Sequence, residues 1–197
     1  MGIFFRRSTV GLEPLPLVMS GVRAGERLLQ VGLEDVALAG VMAAKVGLNG
    51  LAGFAVTTSR EADSARAVAA KAGVLAEVHL IDLTSAQDGP AEIGVGAFDV
   101  VVVHGRNGLI AAIDSEARSR ALRRCRQALR PGGRLLAIDA ATPRGVGGWL
   151  RGGPAPNANY EATGGAEAAL AQAGFGSVRV LAERDGYKFT EGLRPTS

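Results

Sequence analysis

The stretch "FDVVVVHGRNGLIAAIDSEARSRALRRCRQALRPGGRLLAIDA", residues 98–140, carries the strongest fold signal in the chain. Its first part is a β-branched run without polar alternation, which is typical of a strand buried on both faces in a parallel sheet. A helix is predicted over about 115–129, with Asp114 as its N-cap. Pro131-Gly132-Gly133 then ends the helix, and "RLLAIDA" predicts a second strand. This order of strand, helix and strand indicates a parallel βαβ unit.

The same alternation extends to both sides of this unit. Strands are predicted at 27–31, 53–57 and 77–83, and helices at 35–46, 60–72 and 164–173. The stretch "SVRVLAERDGYKFTEG", residues 177–192, predicts two strands joined at Asp185-Gly186, a strong hairpin signal. The sequence therefore predicts an α/β protein, a Rossmann-like three-layer sandwich with a mostly parallel seven-stranded sheet that ends in an antiparallel hairpin.

Further expectations concern single segments of the chain. Residues 1–21 are predicted to form an N-terminal cap and residues 22–195 the main domain. Helix 35–46 is apolar nearly all round and is expected to be well buried, and Ser59 is expected to cap helix 60–72. Residues 141–163 are predicted to be a glycine-rich loop, whose Trp149 and Tyr160 either close over a substrate or pack on the edge of the core.

Composition narrows the possible functions. A chain of 197 residues with 47% apolar and 21% charged residues fits one globular domain. A net charge of +3 is too small to indicate a nucleic-acid partner. The single Cys125 fits a reducing compartment, and no apolar run is long enough for a membrane-spanning helix. We expect a cytoplasmic protein that acts on a small molecule, without an integral membrane segment.

Residues 98–139 resemble the class I S-adenosylmethionine-dependent methyltransferases, most closely the small-molecule branch that includes quinone-biosynthesis enzymes. The likeness rests on the fourth strand, its helix and the "LRPGG-R-L" turn, and "AGFGSVRV" at 173–180 is similar to the start of the sixth strand of that family. It extends over roughly residues 22–192. The resemblance implies S-adenosylmethionine as the cofactor.

The first loop of that family has the pattern acidic-x-Gly-x-Gly-x-Gly. Here Gln30, Gly32, Glu34 and Val36 stand at those four positions, so one glycine is retained and the acidic residue is replaced. Glycine allows the backbone to approach a ligand closely. The resemblance implies cofactor contacts from Gln30, Gly32 and Leu33, through a degenerate loop.

The resemblance implies further cofactor contacts at the ends of the second, third and fourth strands. Thr57 stands where the family has an acidic residue that holds the ribose, followed by Thr58, and a threonine hydroxyl cannot replace both oxygens of a carboxylate. Asp82-Leu83 matches the pair that recognises adenine. His104 follows the fourth strand, where the family lines its site, and is a candidate general base.

Three functional hypotheses follow. The first is a methyltransferase with a divergent cofactor loop. The second is a methyltransferase-like binding or assembly module without catalysis, which a bulky side chain in the cofactor cleft would favour. The third, a nicotinamide-dependent reductase suggested by "TTSR" at 57–60, lacks the required Tyr-x-x-x-Lys pair, because Gly164 follows Tyr160 at that spacing and Glu191 follows Tyr187.

Several candidate residues also have purely structural interpretations. Glu34 and Asp35 are expected to cap a helix and complement its dipole. His79 is expected to be structural. His104 is either a general base or a partly buried structural histidine, and Asp82 either binds adenine or caps a loop. Two histidines and one cysteine form no recognisable metal-binding pattern.

Overall fold

The computed structural model describes residues 13–85, 93–141 and 155–196. The candidate residue Trp149 lies outside the described residues, as do 1–12 of the expected cap. The strands are β1 (Arg27–Val31), β2 (Leu51–Val56), β3 (Ala76–Leu80), β4 (Phe98–His104), β5 (Leu129–Ala140), β6 (Gly176–Arg184) and β7 (Tyr187–Leu193). The helices are α1 (Leu15–Ser20), α2 (Val36–Val46), α3 (Ser59–Ala72), α4 (Ser115–Ala128), α5 (Ala158–Ala162) and α6 (Gly165–Gln172).

The strands form one sheet in the order β3-β2-β1-β4-β5-β7-β6. β1 to β5 run parallel, while β7 is antiparallel to both of its neighbours, β5 and β6. The predicted fold class is therefore confirmed. The strand order reverses between β1 and β4, and ligands of open α/β sheets bind at the carboxyl ends of the strands beside such a point.

Alternate residues of each strand point to opposite faces of the sheet, so the core has two layers. Leu29 and Val101 face α4 and α6, whereas Leu28 and Val100 face α2 and α3. The β-branched run of β4 is buried on both faces, as its composition predicts. Helices thus cover both faces of the sheet. The candidate site lies at the carboxyl ends of its strands.

The structure corrects several element boundaries. β2 ends at Val56 and β3 at Leu80, so Thr57 and Asp82 lie just beyond their strands. The N-cap of α3 is Thr58 and not Ser59, because the Thr58 hydroxyl accepts from Glu61 N while the Glu61 carboxylate accepts from Thr58 N. The Pro131-Gly132-Gly133 turn lies within β5.

The structure corrects two further expectations, and it supports packing as the expected alternative for Tyr160. Helix α2 is not buried all round, because Val36 and Val41 are 43% and 40% exposed. The stretch expected to be a loop up to residue 163 contains α5, in which Tyr160 is buried and the Arg118 guanidinium lies 4.5 Å from its ring centroid. Tyr160 therefore packs into the core. The short α1 was also not predicted; it buries Leu17 against the α2 side of the sheet.

Candidate functional site at the carboxyl edge

Gly32 forms the turn that leaves β1. Its φ is +80°, which favours glycine, and its N–H donates to Ala55 O at 2.8 Å. A Cβ at this position would lie 2.6 Å from Leu109 Cδ2. The positive φ thus requires the retained glycine, and the Leu109 side chain of this protein packs against it. Leu33, the next predicted contact, is buried in the core on the α2 side.

Gln30 and His104 form a buried hydrogen-bond chain at the ends of β1 and β4. Gln30 Nε2 donates to Ala39 O at 3.0 Å, which turns Gln30 Oε1 towards His104 Nε2, 3.1 Å away. His104 Nε2 must therefore carry the proton. The structure brings these two predicted site residues together, and the Gln30 amide is occupied on both sides by protein groups.

Burial determines the charge of His104. Its side chain is only 3% exposed, and burial lowers the pKa of the imidazole to about 4, against a smaller opposing effect of Asp35. The ring is therefore neutral at physiological pH, with Nδ1 as its only basic nitrogen.

Glu34 links the loop after β1 to the loop after β4. Its Oε1 accepts a hydrogen bond from Asn107 N at 3.0 Å, so its carboxylate bridges two loops and does not cap α2. Asp35 caps α2 instead, as expected, by accepting from Leu38 N. Burial raises the pKa of Glu34 to about 7, although the hydrogen bond from Asn107 acts in the opposite direction. Glu34 therefore changes charge near neutral pH.

The end of β2 carries a carboxylate that its own sequence position does not supply. Glu61 Oε2 accepts from Thr57 N at 2.9 Å, from Thr57 Oγ1 at 3.0 Å and from Thr58 N at 3.1 Å. The charge of Glu61 also makes a small contribution to the raised pKa of Glu34. Glu61 is not among the predicted site residues. The signal was the capping-box pattern Thr-x-x-Glu at 58–61.

The end of β3 is organised around a turn. Asp82 Oδ1 accepts from Thr84 Oγ1 at 2.7 Å and from Thr84 N at 2.8 Å, and these bonds lower the pKa of the exposed Asp82 carboxyl. Arg124 donates to Asp82 O and Ser85 O and so holds this loop against α4. Leu83 is buried in the core below the loop. The pair matched to adenine recognition thus stabilises its own turn.

Other classes of site are not formed by the described part of the chain. No group of three or more metal-ligating side chains occurs among residues 13–85, 93–141 and 155–196. The Cys125 thiol is buried, and burial raises its pKa to about 12. Of the helices within these ranges, none has the length and apolar content needed to span a membrane.

Comparison with known proteins gives structural likeness only. No protein-family model matches the sequence, and no curated protein matches it. The S-adenosylmethionine-dependent methyltransferase SibL in its apo form is 21% identical, with a TM-score of 0.64; the match covers 91% of this chain and 54% of SibL, so this chain spans about half the length of that protein.

Two other solved structures match over more of their length. A SAM-dependent methyltransferase from Aquifex aeolicus is 18% identical with a TM-score of 0.63, over 90% of this chain and 86% of that one. A SAM-dependent methyltransferase from Methanosarcina mazei is 14% identical with a TM-score of 0.60, over 94% of this chain and 100% of that one. Together with the strand order, these matches show that the chain has the fold of the class I S-adenosylmethionine-dependent methyltransferases.

Proposed function

We propose that the protein is a methyltransferase that uses S-adenosylmethionine to methylate a small molecule. The fold supports this proposal, since its carboxyl edge places β1, β2, β3 and β4 side by side as in the methyltransferases it resembles. The degenerate loop after β1 is part of the proposal, because Glu34 and Val36 replace two glycines there.

The observation that carries the proposal is the position of Glu61. A ribose with two free hydroxyls is best held by a carboxylate, and Thr57 cannot act as one. The three hydrogen bonds from Thr57 and Thr58 hold Glu61 Oε2 at the end of β2. Glu61 Oε1 is the oxygen left to accept ribose hydroxyls. A residue from the first turn of α3 thereby replaces the missing strand-end carboxylate.

The residues fit the nucleoside part of the cofactor better than its amino-acid part. The carboxylates of Glu61 and Asp82 stand at adjacent strand ends, β2 and β3. Gln30 is directed inward to Ala39 and His104, so its amide is not available to an ammonium group. When bound, S-adenosylmethionine supplies an activated methyl group. The contribution of this chain is positioning, which methyl transfer chiefly requires.

Calorimetric titration with S-adenosylmethionine and S-adenosylhomocysteine tests the proposal, with NADPH as a negative control. We expect binding of the adenosyl compounds, weakened roughly tenfold by Glu61→Gln because the charged acceptor is lost. Glutamine preserves the capping box, so α3 remains folded. Glu116→Gln makes the same change in the first turn of α4 and should leave the affinity unchanged. Equal affinities in the wild type and Glu61→Gln would contradict the role of Glu61.

A second candidate function is a binding or assembly module that has lost the cofactor. Two contacts favour it: Leu109 packs on Gly32, and Glu34 bridges to Asn107, so side chains of the protein join the loops after β1 and β4. The same titration separates the two functions. If the folded protein takes up neither adenosyl compound, methyl transfer is excluded and the module is favoured.

A further inference from the structure

A cavity of about 270 Å³ lies at the carboxyl ends of β4 and β5, where α5 covers them. Much of its wall is glycine, alanine and proline. Its polar wall consists of Arg106 and Asn107 after β4, Asp139 at the end of β5, and Asn157, Tyr160 and Glu161 around α5. This volume is slightly below the range of about 300–1,000 Å³ typical of ligand pockets. The cavity is therefore suited to a small ligand.

Asp139 is the unusual member of this wall. Its side chain is 4% exposed, and neither carboxylate oxygen has a hydrogen-bond partner among the described residues. A Cβ at Gly105 would lie 2.6 Å from Asp139 Oδ1, so a glycine is needed to make room for the carboxylate. A buried carboxylate without a donor is costly, and proteins pair such groups with a cation or a hydrogen-bond donor.

The neighbouring cations are engaged elsewhere. Lys188, opposite Asp139 on β7, has its Nζ 3.2 Å from Glu161 Oε2. The guanidinium of Arg118 on α4 donates to the carbonyl oxygens of Ile110 and Ile113. Neither forms a hydrogen bond with Asp139, so no cation among the described residues pairs with its carboxyl group.

The remaining charged groups near the cavity do not neutralise Asp139 either. Arg106, which also lines it, places its guanidinium 4.5 Å from the ring centroid of Tyr187. Burial is the main cause that raises the pKa of Asp139 to about 7, and the charges of Glu161 and Glu34 add to it. The nearby positive charges therefore fail to offset burial and the nearby negative charges.

Tyr160 gives the cavity a second unsatisfied group. Its hydroxyl has no hydrogen-bond partner among the described residues, and its pKa is raised first by burial and then by the charge of Asp139. Its ring already lies against the Arg118 guanidinium, 4.5 Å from the ring centroid, so the hydroxyl is the group that Tyr160 can offer to a ligand. A metal ion is a poorer match, because no cluster of three ligating side chains exists in the described ranges.

We infer that this cavity binds a small organic cation, whose ammonium group pairs with the Asp139 carboxylate. The Tyr160 hydroxyl is the second polar contact, and the alanine-rich wall packs on the carbon skeleton. This inference does not rest on methyl transfer, because the proposed nucleoside contacts lie at the ends of β2 and β3 and this cavity lies at the ends of β4 and β5.

Calorimetric titration with benzylamine, and with benzyl alcohol as its uncharged counterpart, tests the inference. We expect the amine to bind at least tenfold more tightly than the alcohol, and Asp139→Asn to abolish this preference. Binding should tighten roughly tenfold from pH 6 to pH 8 as Asp139 ionises. Asp63→Asn removes an exposed carboxylate of α3, a helix that does not line the cavity, and should alter the affinity for the amine less than twofold.

Carbon-13 NMR of the Asp139 carboxyl provides a second measurement that does not depend on heat. Saturating benzylamine should lower the pKa of Asp139, because the cation stabilises the ionised form. Three results would overturn the inference: no binding of the amine at millimolar concentration, equal binding of amine and alcohol, or unchanged amine binding in folded Asp139→Asn.

Discussion

Single side chains at the carboxyl edge act mainly on other protein groups. Gln30 stands where the methyltransferases it resembles have an acidic residue, and here it bonds to the backbone of α2 and to His104. A neutral amide suits this position, because it accepts from the imidazole without placing a charge in the core. Burial keeps His104 neutral, and a charged acceptor at position 30 would oppose that effect.

Gln30→Glu should raise the pKa of His104 from about 4 towards neutrality. A carboxylate at this hydrogen-bonding position stabilises the imidazolium form, whereas the present amide does not. The pKa can be measured from the ring proton resonances of His104 as a function of pH. Gln30→Met is the control, since it adds no charge and should leave His104 neutral from pH 5 to pH 8. An unchanged pKa in a folded Gln30→Glu variant would refute this coupling.

At the scale of one element, the start of α3 joins helix stability to the candidate site. The Thr58 hydroxyl caps the helix, and Glu61 closes the capping box while it holds Thr57. The adjacent Ser59 is equally suitable by residue type but is the first helical residue. Because Glu61 lies three residues after Thr58, only Thr58 can form the reciprocal pair.

Thr58→Ala should therefore lower the free energy of unfolding by about 1 kcal/mol through loss of the N-cap. Ser59→Ala is the matched control and should change it by less than about 0.5 kcal/mol, as is usual for surface substitutions. Urea unfolding followed by circular dichroism measures both. Equal destabilisation by the two substitutions would show that the cap lies elsewhere.

At the scale of the whole molecule, buried ionisable groups make stability depend on pH. Burial raises the pKa of Glu34 and Asp139 to about 7, so folding takes up protons at these carboxyls between about pH 4 and 7. Their contribution to stability falls as the pH rises through that range. Because the pKa of His104 is lowered, its contribution to stability rises with pH between about pH 4 and 6.5. In that range it offsets the loss of stability from one of the two carboxyls.

We expect the free energy of unfolding to be higher near pH 5 than near pH 8. Asp139→Asn should remove much of this decline, because it eliminates a buried charge that costs about 4 kcal/mol at pH 8. Near pH 4, where the folded protein holds the proton, the variant and wild type should be about equally stable. Guanidinium unfolding across this range tests the expectation. A stabilisation that is the same at every pH would mean that the Asp139 charge is not its cause.

The sequence predicts the sheet well, because its signals are local. The β-branched run of β4 and the Asp185-Gly186 turn are each visible within a few residues. Helix α5 was missed although Asn157 caps it, because its five residues are too few to show a helical period. The bond from Asn107 to Glu34 joins residues 73 positions apart, which periodicity cannot reveal. Glu61 was also missed, because each site residue was assigned from its position in the family pattern. That position is Thr57 here, and the Glu61 side chain reaches it from α3.

The position of β7 between β5 and β6 has a consequence for synthesis on the ribosome. Until residues 187–193 emerge, β5 has an unpaired edge, and β6 has no neighbour in the sheet. A nascent chain that has completed β5 and β6 is therefore exposed to pairing with another copy of itself. The tight turn at Asp185-Gly186 shortens this interval, since β7 can fold back onto β6 as soon as it is made and the hairpin can then dock as a unit.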